Sequence, residues 1–258
     1  MNNIDVHYKV EGEGETVVFV HGLSDDLNYW EFLATNLKND YRVIRFDLPG
    51  HGQSELGENE ISIDYYSDCL IGILNELNVD NINLIGFSLG GAIALNFALR
   101  YCEKVDSLVL MSSFSGVNNH LMDVFAKFKC ALDISFEEFY DLILPMVLCY
   151  DVVDANRNEL DLLKQMASQT ANTEAYIKAI DACGDFDVGD ELSKIEVPTL
   201  ILAGKYDEIT VPDIQKEIHA NIPNSKLIVF DDLKHNLLVG ENNRKILDIL
   251  KEFLKNKS

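Results

Sequence analysis

Residues 82–95 read INLIGFSLGGAIAL. Ser88 stands among small residues, after the apolar run Ile82-Asn83-Leu84-Ile85 and before the run Ala92-Ile93-Ala94-Leu95. The pattern reads as strand, tight turn, helix. A glycine-rich turn of this kind is either a packing device that lets a helix lie close on a strand, or the setting that holds a serine up as a nucleophile. Gly86 and Gly90, each two residues from Ser88, allow the close approach. The helix that follows points its free N–H groups and positive dipole end toward Ser88.

Outward from this corner the chain alternates between two periods. Ile4, Val6, Tyr8 and Val10 alternate with polar residues as in a half-buried strand. Residues 16–20, 41–46, 82–85, 105–111, 198–203 and 226–230 are short, nearly continuous apolar runs, suited to strands covered on both faces. Helical periodicity fills 27–39, 62–77, 89–101, 211–220 and 242–255. Such alternation predicts an α/β fold with a mostly parallel, doubly wound sheet. One stretch breaks it. From about 116 to 187 there is no good strand, and apolar residues recur at helical spacing through about four helices. The expected division is a core of 1–115 and 188–258 with a helical insert of 116–187. The insert is either an enlarged crossover or a cap over the carboxyl end of the sheet, where open α/β sheets bind ligands.

A serine hydroxyl needs a base to take its proton. Of six histidines, only His235 lies in a loop after the final predicted strand, on the same sheet edge as Ser88. His219 reads as a surface helix residue, and His21 as a brace for the turn after residues 16–20. The base in turn needs a carboxylate to hold its tautomer. Asp207 follows the strand at 198–203, at the same edge, whereas Asp231 and Asp232 are too near His235 in sequence. The order Ser88, Asp207, His235 is the order of one known triad architecture. Backbone N–H groups of Leu23, after His21-Gly22, and Leu89, after Ser88, are placed to receive an oxyanion.

At this point the chain resembles the α/β-hydrolase-fold family, in the branch holding small carboxylesterases, the pimeloyl-ester carboxylesterase of biotin synthesis, enol-lactonases and cofactor-free haloperoxidase-like esterases. The resemblance runs over nearly the whole length. It rests on HG at 21–22 with Trp30, FDLPGHGQS at 46–54, GFSLGG at 86–91, LSKIEVPTLILAGKYD at 192–207 and KHN at 234–236. It implies the nucleophile at Ser88, the acid at Asp207, the base at His235 and the oxyanion N–H groups at Leu23 and Leu89. Relatives that act on haloalkanes and epoxides carry aspartate at the elbow, where this chain has Ser88.

The rest of the sequence bounds the reaction. A balance of 21 Lys+Arg against 43 Asp+Glu gives a net charge of −22. That disfavours a nucleic-acid or anionic-membrane partner, since phosphate binding needs clustered cations; the acidity itself reads as solubility. No run approaches eighteen apolar residues, and the first residues lack the pattern of a secretory signal, so a cytoplasmic protein is expected. The five cysteines are odd in number, widely spaced and without CxxC, which points to free thiols, with no metal and no cofactor expected. Met122, Phe125, Phe128, Phe136, Phe139 and Met146 suggest an apolar acyl pocket, or simply packing of the insert on the sheet. The expected activity is cleavage of small neutral carboxylic esters with an apolar acyl group, through an acyl-enzyme. Lactone, thioester or carbon–carbon bond hydrolysis by the same residues, and a non-catalytic ligand receptor of the same fold, are the alternatives. Lys127, Lys129 and Arg45 are the candidates for a clamp on an anionic substrate.

Overall fold

The structure, a computed structural model, describes residues 4–256. Seven strands form one sheet: β1 (Tyr8–Glu11), β2 (Thr16–Val20), β3 (Arg42–Phe46), β4 (Ile82–Phe87), β5 (Val105–Met111), β6 (Thr199–Gly204) and β7 (Ser225–Phe230). Their spatial order is β1-β3-β2-β4-β5-β6-β7, and only β1 runs antiparallel to its neighbour. The apolar runs divide between two cores, as a pleat requires. Val17 and Phe19 face α1 (Glu31–Leu37) and α10 (Asn242–Asn256). Val18 and Val20 face α2 (Ile63–Glu76), α3 (Leu89–Arg100) and α9 (Pro212–Asn221). Covering on both faces is why β2 to β6 read as continuous rather than alternating hydrophobic segments.

Two boundaries differ from the sequence reading for local reasons. The ladder of β1 begins at Tyr8, not Ile4, because the chain before it follows the loop after β3: Asp47 donates to the His7 carbonyl at 2.9 Å, and Glu55 to that of Asp5 at 3.1 Å. The segment expected as a helix over 27–39 opens as a 3-10 turn at Leu27–Trp30. There the Asp26 carboxylate accepts from the Asn28 N–H at 2.7 Å.

Between β5 and β6 lie five helices rather than four: α4 (Asn119–Leu132), α5 (Phe136–Val147), α6 (Tyr150–Ala155), α7 (Arg157–Ser168) and α8 (Thr173–Gly184). Neither α6 nor α7 buries a residue, and α6 is only six residues long, so no run of buried positions marks α6 apart from α7. An antiparallel bridge, Gly116 to Asp187, closes the neck of this insert, beside a Val188-to-Ser115 hydrogen bond of 2.7 Å. At the far side it is tied to the loop after β7. Lys234 Nζ donates to the Pro145 carbonyl at 2.6 Å, and the Asn236 N–H to that of Val147 at 3.0 Å.

Candidate functional site

Ser88 is the single residue between β4 and α3. Its backbone sits at φ 53 and ψ −118, a conformation that costs a non-glycine residue on the order of 1–3 kcal/mol. Crowding on both sides enforces it. A Cβ on Gly86 would lie 2.2 Å from the Gly90 carbonyl oxygen, and one on Gly90 would lie 2.1 Å from the Val20 carbonyl oxygen. The turn is therefore a close-packing device, and the same packing lifts the serine above the sheet edge.

The loops after β6 and β7 bring Asp207 and His235 to that edge. His235 Nε2 stands 3.0 Å from Ser88 Oγ, and its Nδ1 stands 2.8 Å from Asp207 Oδ2. With the Nδ1 proton held by the carboxylate, Nε2 is free to accept the serine proton. The Asp207 carboxylate is held on every side: Oδ1 accepts from the N–H groups of Ile209 at 2.8 Å and Thr210 at 3.0 Å, and Oδ2 from the Thr210 hydroxyl at 2.8 Å. Burial pushes its pKa up, but the His235 charge and hydrogen bond, the Thr210 hydroxyl and the Ile209 N–H outweigh it, so the group stays below the ordinary range. Asp231 is instead an exposed partner of Lys205, and His219 binds the Ser225 hydroxyl at 2.8 Å on the far end of α9.

Leu23 and Leu89 both line the cavity beside Ser88, and neither N–H has an acceptor among the described residues. Leu89 opens α3, where a first-turn N–H has no intrahelical partner. His21 is fully buried and braces the loop: the Leu48 N–H donates to Nε2 at 2.9 Å, and Nδ1 lies 2.8 Å from the Gly22 carbonyl. Burial holds its pKa down at about 4, so the ring is neutral.

Ser88 and His235 open into a cavity of about 380 Å³, within the size range of small-molecule sites. Its walls are mostly aromatic and aliphatic, from α4, α5, α7 and α8 of the insert. Phe125, Phe128, Phe136 and Phe139 line it. Met122 does not: it is 57% exposed, because Leu121 and Val124 set the inward stripe of α4. Met146 is not in the wall either and packs against the core, while Ile143, Leu144 and Val147 of the same helix face the cavity. Cys183 lines it, and burial pushes its thiol up to about 12, which keeps it protonated. No clamp for an anion is formed. Arg45 is buried on β3 between Glu11 and Glu31, Lys129 pairs with Asp181, Lys127 is exposed, and no Lys or Arg lines the cavity among the described residues.

Several polar side chains at the site were not singled out from the sequence. Ser113 Oγ donates to the Ser88 carbonyl at 2.9 Å, and buried Gln215 donates to the Ser113 carbonyl. Asp25, Tyr29 and Asn236 are polar members of the cavity wall, and Tyr29 donates to Asn236 Oδ1 at 3.1 Å. Thr210 was not singled out either, although the spacing Asp207-x-x-Thr210 carries a visible signal, since a short-range turn of that form lets a hydroxyl and N–H groups bind a carboxylate. No group of His, Cys, Asp and Glu among the described residues is arranged to hold a metal.

The family profile described as alpha/beta hydrolase fold matches residues 15–142. A proline iminopeptidase of Saccharolobus solfataricus is 30% identical over 96% of this chain and 87% of its own length. A 2-hydroxy-6-oxononadienedioate/2-hydroxy-6-oxononatrienedioate hydrolase of Pseudomonas putida is 29% identical over 90% of this chain and 86% of its own. The enol-lactonase structure from Burkholderia xenovorans superposes with a TM-score of 0.91 at 22% identity, covering 99% of this chain and 98% of that one. With the sheet order, the serine corner and these similarities in agreement, the chain belongs to the α/β-hydrolase family and is a hydrolase.

Proposed function

We propose that the protein is a serine hydrolase of carboxylic esters whose acyl group is apolar and carries no negative charge. Ser88 attacks the ester carbonyl, and His235 takes the hydroxyl proton through Nε2 and returns it to the leaving alcohol. Asp207 orients His235 and stabilises the imidazolium. The N–H groups of Leu23 and Leu89 receive the oxyanion. Water then attacks the acyl-enzyme by the same route. The observation that carries this reading is the unbroken chain from Asp207 Oδ2 through His235 to Ser88 Oγ, at 2.8 and 3.0 Å, at the wall of an apolar cavity.

Lack of a cation in the cavity wall weighs against a dioate substrate of the kind named for the Pseudomonas putida relative. A buried carboxylate without a partner costs several kcal/mol, and nothing lining this cavity repays that cost. Lactone and thioester cleavage use the same groups and stay open to the same assay. Five free cysteines, and no described helix long and apolar enough to cross a membrane, support a reducing, cytoplasmic setting.

The test is a fluorophosphonate label followed by a substrate panel. Labelling at Ser88, with aryl esters turned over faster than matched lactones, thioesters and aminoacyl anilides, supports the reading. An unlabelled Ser88 sinks the catalytic role and leaves a ligand-binding protein.

A further inference from the structure

Asp25 is the one carboxylate in the cavity wall apart from the acidic and basic machinery already described, and no ion pair involves it among the described residues. It follows the oxyanion loop at close range. A Cβ placed on Gly22 would lie 3.0 Å from Asp25 Oδ2 and 3.0 Å from Phe87 Cδ1. The carboxyl and the ring preceding Ser88 thus flank one point beside the reacting groups. The groups around it leave it without a counter-ion. Asp26 is acidic and caps Asn28, the Tyr29 hydroxyl is turned to Asn236, Tyr176 is neutral, and the Gly22 N–H is a single backbone donor. Burial first, then the Asp26 charge, push the Asp25 carboxyl up to about 7, against the pull of that N–H.

A negative charge beside the Leu23 N–H works against an oxyanion in the same place. A cation delivered by the substrate cancels it, and the stacked rings of Tyr29 and Phe87, with centroids 4.7 Å apart, add aromatic surface of the kind that receives ammonium groups. We propose that Asp25 is a substrate-recognising carboxylate, and that the preferred substrates carry a protonated amine on the acyl chain, close to the scissile carbonyl. This rests on the ester-hydrolase reading and amends its substrate class: the acyl chain keeps an apolar stem and adds one ammonium group. An ammonium ester carries no negative charge, so it escapes the cost that weighs against a dioate in this cavity, and its apolar stem packs on Phe125, Phe128 and Phe139.

Two measurements test it. The first is kcat/KM at pH 7.5 for aryl esters in matched pairs, with amino-terminated acyl chains of two to six carbons against methyl-terminated chains of equal length, the spontaneous rate being subtracted. The wild type is expected to favour the ammonium ester by about 10–100-fold at one or two chain lengths, the worth of one hydrogen bond between charged groups. Asp25→Asn is expected to bring that ratio to about 1. Equal rates at every length, a preference kept by Asp25→Asn, or a matched hydroxyl ester preferred over the ammonium ester overturns the proposal. The second is calorimetric binding of hexylammonium chloride and hexan-1-ol to the wild type and to Ser88→Ala, with at least about tenfold tighter binding of the ammonium expected. Binding without turnover sustains Asp25 and removes the hydrolase reading, whereas turnover without an amine preference does the reverse. If Asp25→Asn does not fold, the wild-type comparison of the two hexyl ligands decides alone.

Discussion

The Ser113 hydroxyl donates to the Ser88 carbonyl at 2.9 Å, while Gln215 donates to the Ser113 carbonyl and reaches the Thr210 carbonyl at 3.5 Å. Thr210 in turn holds both oxygens of Asp207. One buried amide on α9 therefore joins the corner that carries Ser88 to the loop that carries Asp207. The sheet sets the coarse positions of the three groups, and this chain of side chains trims them.

Ser88→Ala is predicted to reduce ester turnover by at least about 10⁴-fold. The melting temperature should stay close to that of the parent, because alanine meets the same backbone strain and the hydroxyl bonds only His235 among the described residues. Steady-state kinetics with fluorophosphonate labelling check it, and a purified variant of near-parental activity refutes the mechanism.

Asp207→Asn is predicted to lower kcat by about 10³–10⁴-fold, since an amide favours the wrong tautomer of His235. Asp231→Asn should be nearly silent, as it only releases an exposed lysine. A reversal of this order in parallel assays would move the acid elsewhere.

These two predictions use residues that were legible in the sequence, and the reason is topological. In a parallel sheet every strand ends at the same edge, so locating the strands locates the loops that can meet. Ser88, Asp207 and His235 each follow an unmistakable apolar run. Asp25, Gln215 and Asn236 have no such marker. Their roles come from where loops fold back on one another, and among 43 acidic residues a single one facing a cavity carries no local pattern. The cavity wall was half legible. Phe125 and Phe128 fall on the inward stripe of α4, but Met122, counted with them at a spacing of three, falls off it once Leu121 and Val124 are included.

Thr210→Val should leave the fold in place and cut kcat/KM by about tenfold, the worth of one hydrogen bond to a charged group. KM should change little, because Thr210 is absent from the cavity wall. An equal rise in KM with kcat unchanged would argue against a positioning role.

His21 and His51 are buried with pKa values held down at about 4 and about 3, in both cases by burial first; for His51 the His21 charge adds to it. Between pH 4 and 6.5 the unfolded chain binds protons at these rings that the native state refuses, so their contribution to stability is present above pH 6.5 and falls with acidification. Asp25, raised to about 7, contributes with the opposite sign over the same range, so the net slope mixes the three. The variant isolates one of them: His51→Gln is predicted to reduce the pH slope of unfolding free energy by about 1 kcal/mol per pH unit averaged over pH 6.5 to 5.0. Urea unfolding at pH 6.5, 5.75 and 5.0 measures it, and an unchanged slope would place a proton on native His51.

For a neutral ester, kcat/KM should be insensitive to ionic strength. For a matched ester with a terminal carboxylate it should be low in dilute buffer and rise with salt, because the −22 charge repels anions until screening shortens its reach to about 10 Å at 0.1 M. An anionic ester favoured at low salt would reveal a clamp that neither Arg45, Lys127 nor Lys129 supplies.

The bridge between Gly116 and Asp187 also bears on how the chain assembles. β5 pairs with β6 in parallel, Leu108 opposite Thr199, across the whole helical insert. That pairing has high contact order, and a long flexible connection would delay it. Loop-closure entropy, however, grows only by about 0.6 kcal/mol for each doubling of length, and helices α4 to α8 form from local contacts. Once the Gly116–Asp187 bridge closes, the two ends of the insert lie side by side and the connection behaves as a short one. Ser88 lies on one side of that pairing and Asp207 and His235 on the other, so the three groups meet only in a chain that has paired β5 with β6 across the insert.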